Sequence, residues 1–107
     1  MAFTKVCSIE DITPGTGVCA LVSGEQVAIF RPSHAEEVMA ISNTDPFYQS
    51  NVLSRGLIVE HMQELWVASP LKKQRFNLST GVCMEDENFS VKAYKTRVIK
   101  GQVEVSA

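Results

Sequence analysis

Between positions 43 and 81 the chain reads Asn43-Thr44-Asp45-Pro46-Phe47-Tyr48-Gln49-Ser50-Asn51-Val52-Leu53-Ser54-Arg55-Gly56, then a short apolar stretch holding the sole tryptophan, Trp66, then Ser69-Pro70-Leu71-Lys72-Lys73-Gln74-Arg75-Phe76-Asn77-Leu78-Ser79-Thr80-Gly81. Each polar segment is longer than the roughly four to six residues that usually join two elements, and long loops in compact domains carry function or are disordered. The apolar stretch, Leu57-Ile58-Val59 and Leu65-Trp66-Val67-Ala68 about the turn residues Glu60 to Glu64, has the build of a hairpin. One hairpin thus joins two loops.

Outward from this centre the chain reads as further short strands. Phe3 to Cys7 alternates apolar and polar, and Asp11 to Gly17 supplies turn chemistry. Val18 to Val22, the turn residues Ser23 to Gln26, and Val27 to Phe30 predict a second hairpin. Arg31-Pro32-Ser33-His34 ends it, and Val38 to Ile41 predicts another strand, with Ala35-Glu36-Glu37 offering one helical turn as the alternative. Beyond the second loop, residues 84–88 form an acidic excursion, and Val91 to Ile99, Lys100-Gly101 and Val103 to Val105 close the chain with a hairpin. No segment keeps the i, i+3, i+4, i+7 pattern over the length of a stable helix. Eight or nine short strands in 107 residues predict one all-β domain, a sandwich or barrel, over 1–107 with a two-loop subdomain at about 43–81.

Composition narrows the function classes. Ten basic residues against twelve acidic give no net field toward nucleic acid or an anionic membrane. No apolar run approaches the roughly 20 residues of a membrane span, and the N-terminal residues lack the build of a secretory signal. The chain reads as soluble and cytoplasmic. Three isolated cysteines suit reduced thiols; Cys7 and Cys19 read as small buried strand residues, and Cys83 lies beside Glu85-Asp86-Glu87, surroundings that disfavour a thiolate. His34 and His61 fall in separate turns without a nucleophile motif, and neither the histidines nor the cysteines reach the paired spacings of a metal site.

Positive charge is better placed. Arg55 ends the first loop and Lys72, Lys73 and Arg75 lie in the second, so approach of the loops makes a cationic patch suited to an acidic partner surface or a bound anion. Lys-rich loops are also ordinary solvated surface. Phe47 and Tyr48 either fold back over the core or anchor a partner, folding back being the reading for Phe47, while Trp66 reads as core.

The two loops resemble those of Rieske-type proteins. There a first loop with Cys-x-His and a second with Cys-Pro-x-His hold a [2Fe-2S] cluster. Asp45-Pro46-Phe47 and Ser69-Pro70-Leu71-Lys72 stand at the matching places, followed by Phe76-Asn77 and Thr80-Gly81. The resemblance implies a Rieske-like β-sandwich in which Asp45 and Ser69 replace the cysteines and Phe47 and Lys72 the histidines, and such a set offers neither thiolate nor imidazole. The fuller wording of 43–81 is similar to the small-subunit family of assimilatory NAD(P)H-dependent nitrite reductases. That resemblance implies an accessory chain without cofactor or catalytic residue. Its partner would be a large catalytic subunit holding FAD, [4Fe-4S] and sirohaem, which reduces nitrite to ammonium, and Arg55, Lys72, Lys73 and Arg75 are expected at the contact. A Rieske-type electron carrier and an independent anion-binding module are the alternatives.

Overall fold

The computed structural model describes residues 2–106. Eleven strands run in chain order: β1 (Thr4–Ser8), β2 (Thr16–Val22), β3 (Glu25–Arg31), β4 (Met39–Ser42), β5 (Thr44–Asp45), β6 (Ser50–Asn51), β7 (Leu57–His61), β8 (Glu64–Ala68), β9 (Arg75–Asn77), β10 (Ala93–Ile99) and β11 (Gln102–Ser106). Among the described residues helix is confined to three single 3-10 turns, Ile9–Asp11, Leu53–Arg55 and Glu87–Phe89. Ser33 to Glu36 form a bend, and Ala35 to Glu37 make no helical turn. The class is the all-β one expected.

Six strands form an antiparallel sheet in the order β1-β11-β10-β4-β3-β2, whose end strands touch, so that it nearly closes on itself. A three-stranded sheet, β7-β8-β9, and the two-residue pair β5-β6 make up the part between positions 43 and 81. Three tight hairpins set the registers: Ser23-Gly24, Met62-Gln63 and Lys100-Gly101 each place both central residues at positive φ, the twist that suits adjacent strands.

Strand β3 explains why its sequence does not alternate. Val27 and Ile29 face one apolar cluster with Val22, Ala40, Val103 and Val105, whereas Ala28 and Phe30 face a second with Leu53, Val67, Phe76 and Leu78. Both faces are buried, so a continuous apolar run is what the position requires. The second cluster seats the hairpin and the two loops on the six-stranded sheet. Gly56 makes the fit possible, because a Cβ there would run into the Ala68 carbonyl and Val67.

Three sequence readings change. Arg75-Phe76-Asn77, read as loop, is a strand: Phe76 is fully buried opposite Val67, and three residues are too few to reveal alternation. Cys19, read as buried, lies on the exposed face of β2; Cys7 is half-buried and Cys83 buried. Arg31, read as part of a strand break, ends β3 as a buried side chain. Its guanidinium donates to the carbonyls of Ile9, Ile12, His34 and Ala35 at 2.9–3.3 Å, tying two turns together.

Candidate functional site

The two loops are fastened from inside. Asn43 is buried where the first loop begins; its carbonyl accepts from Leu53 N–H at 3.1 Å and its Oδ1 from Ser54 N–H at 2.8 Å. These bonds bring the loop's end back to its start. In the second loop Asn77 Oδ1 accepts from the N–H groups of Ser79 and Thr80 at 2.8 and 3.0 Å, which forms the turn leading to Gly81. Gly81 has φ +80° and its Cα lies against the Val91 carbonyl, a place with no room for a side chain.

Asp45 and Ser69 join the loops to each other. Both are buried, and Ser69 Oγ donates to Asp45 Oδ2 at 2.5 Å. Asp45 Oδ1 accepts from Phe47 N–H at 2.8 Å, and Ser69 Oγ accepts from Leu71 N–H at 3.3 Å. Phe47 folds back, stacking on Phe89 with 4.3 Å between centroids and meeting Phe76 edge-on at 6.4 Å. Lys72 stands exposed at the tip of the second loop. Among the described residues no three His, Cys, Asp or Glu side chains gather as a metal-ligand set.

The four basic residues do not share one environment. Arg55 and Lys73 line the same open cavity of about 390 Å³, walled by Leu57, Val59, Ala68 and Pro70. Among the described residues no carboxylate pairs with Arg55, Lys72 or Lys73. Arg75 is different: its Nε donates to Glu85 Oε2 and its backbone N–H to Oε1, both at 2.7 Å. Burial raises the Glu85 carboxyl, but these two bonds and the guanidinium charge outweigh it and hold it below its usual range. Glu85 comes from the acidic excursion, a partner that sequence distance concealed.

Tyr48 is exposed and Phe47 is not, so of the two aromatics only Tyr48 faces outward. Trp66 is buried, yet it belongs to neither apolar cluster. It pairs with Val59 across the hairpin, and therefore sits on the sheet face opposite Ile58 and Val67. His34 and His61 are exposed. The arrangement offers contact surfaces and internal fastenings.

A near-closed antiparallel sheet carrying two long loops on a three-stranded sheet defines the class, and the Rieske-like [2Fe-2S] domain pattern matches residues 2–106. The chain belongs to the Rieske-like domain family, and within it to the nitrite reductase small-subunit family. It is 69% identical over 101 residues to the nitrite reductase (NADH) small subunit of Salmonella typhimurium, covering 94% of both chains. The NMR structure of the Escherichia coli protein NirD superposes with a TM-score of 0.90 at 65% identity, over 97% of this chain and 94% of that one. The chain is also 35% identical over 98 residues to the nitrite reductase [NAD(P)H] large subunit of Klebsiella oxytoca, covering 92% of this chain and 10% of that one.

Proposed function

We propose that the chain is the small, accessory subunit of a cytoplasmic NAD(P)H-dependent assimilatory nitrite reductase, binding a catalytic large subunit that reduces nitrite to ammonium. The observation that carries this is 69% identity to a nitrite reductase (NADH) small subunit across 94% of both chains. The Klebsiella oxytoca match adds that a segment similar to this domain is built into a large-subunit chain, as suits a domain that works against that subunit. FAD, [4Fe-4S] and sirohaem belong, in this reading, to the large subunit.

The chain itself carries no cluster in this reading. Of the four places that hold a cluster in Rieske-type relatives, Phe47 has no donor atom and is packed on Phe89, and Lys72 offers an ammonium. Asp45 and Ser69 offer hard oxygens already engaged with one another at 2.5 Å, whereas an iron-sulfur cluster takes thiolate and imidazole. The donor set does not fit the group. The hydrogen bond between Asp45 and Ser69 instead does the mechanical work of holding the loops together.

Contact falls to the surface around the loops. Arg55, Lys72 and Lys73 keep charge for an acidic partner; Arg75 has spent much of its charge on Glu85, so its part is to shape the second loop. Co-expression with the large subunit tests the reading: the two chains co-purify, and Arg55→Glu with Lys73→Glu lowers the yield of complex about tenfold or more. A large subunit that never retains the wild-type chain overturns it.

A further inference from the structure

Strand β7 has a free edge. It pairs with β8 on one side and, among the described residues, with no strand on the other. The two-residue turn at Met62-Gln63 makes His61 and Glu64 a hydrogen-bonded pair, so the ladder bonds use His61, Val59 and Leu57. Ile58 and Glu60 therefore aim their N–H and C=O groups away from the hairpin. Among the described residues nothing meets those groups.

Exposed edges are ordinarily blunted by proline, a bulge or several charges. Strand β7 has an unbroken register, no proline and one charged residue, Glu60. The cavity holding Arg55 and Lys73 opens beside it, and Leu57, 75% exposed, forms part of its apolar wall. Main-chain donors and acceptors, an apolar cavity and two unpaired cations thus lie along one strand.

We infer that the β7 edge is a strand-addition site for an extended segment of the large subunit, apolar at alternate positions and bearing a carboxylate that meets Arg55 and Lys73. Strand addition draws affinity from main-chain hydrogen bonds and specificity from pockets that take alternate side chains. The carboxylate follows from charge complementarity with these two cations, for which the described residues supply no acidic partner. This inference rests on the subunit reading above and names where and how the subunit docks.

The test titrates purified large subunit with the full chain and its variants. Glu60→Pro removes one outward N–H at an exposed residue and leaves the hairpin ladder intact. It is expected to weaken binding about tenfold or more, as is Leu57→Asp. Lys5→Glu, exposed on β1, is expected to bind like wild type. Hydrogen exchange on the wild-type complex is expected to slow at the Ile58 and Glu60 amides, and this measurement decides alone if Glu60→Pro does not fold. A folded Glu60→Pro chain with wild-type affinity, edge amides that exchange freely in the complex, or protection of those amides by self-association without the large subunit overturns the inference. If the wild-type chain does not bind at all, the subunit reading falls and takes this inference with it.

Discussion

Ser69 shows how much one hydroxyl carries. It bridges two loops by donating to Asp45 and at the same time accepts from Leu71 N–H. Ser69→Ala strands a buried carboxyl oxygen and a backbone donor together, which is expected to cost about 1–3 kcal/mol in denaturant unfolding. The double variant with Asp45→Ala is expected to lose less than the two single losses added, because the second change removes the group the first one strands. Asp45, Phe47 and Ser69 were legible as special positions from the resemblance of the loops. That Asp45 and Ser69 bond to each other was not, since 24 positions separate them and only the folded loops bring them together.

Among the three tight hairpins, β7-β8 is the one whose turn has no glycine at either positive-φ position. Met62 and Gln63 hold φ of 51° and 67°, a region that costs a side chain about 1–2 kcal/mol and suits Asn-Gly. Replacing the pair by Asn-Gly is expected to raise stability by about 1 kcal/mol or more, read as a higher melting temperature. The pairing of Arg75 with Glu85 fastens β9 to the acidic excursion, and its pH dependence has a definite sign. A carboxyl held below its unfolded value of about 4.3 supports the fold above that pH, and the support is lost as pH falls through the lower folded value. Melting of Glu85→Gln against wild type is therefore expected to differ at pH 7 and to converge as the pH falls through the lowered folded value. All three hairpins were readable because turn residues sit between apolar runs. Strand β9 was not readable, because its pairing with β8 rather than its own pattern extends it.

At the scale of the molecule, the reading that this chain works through contact makes a spectroscopic prediction. Anaerobic incubation with iron and sulfide is expected to leave the visible spectrum blank and the desalted protein free of iron, whereas a coloured, iron-bearing product would restore the electron-carrier reading. The sequence alone determined the all-β class, the hairpins about Ser23-Gly24 and Lys100-Gly101 and the one between the two loops, and the place of those loops, because turn chemistry and strand alternation are local properties. It also marked Arg55, Lys72, Lys73 and Arg75 as the charged members of those loops. Only the tertiary structure decided which cations remain unpaired, that β3 is buried on both faces, and that β7 presents an open edge beside the cavity of Arg55 and Lys73. Each of these depends on contacts between distant segments, and a chain acquires such contacts only when its burial of apolar surface brings those segments together.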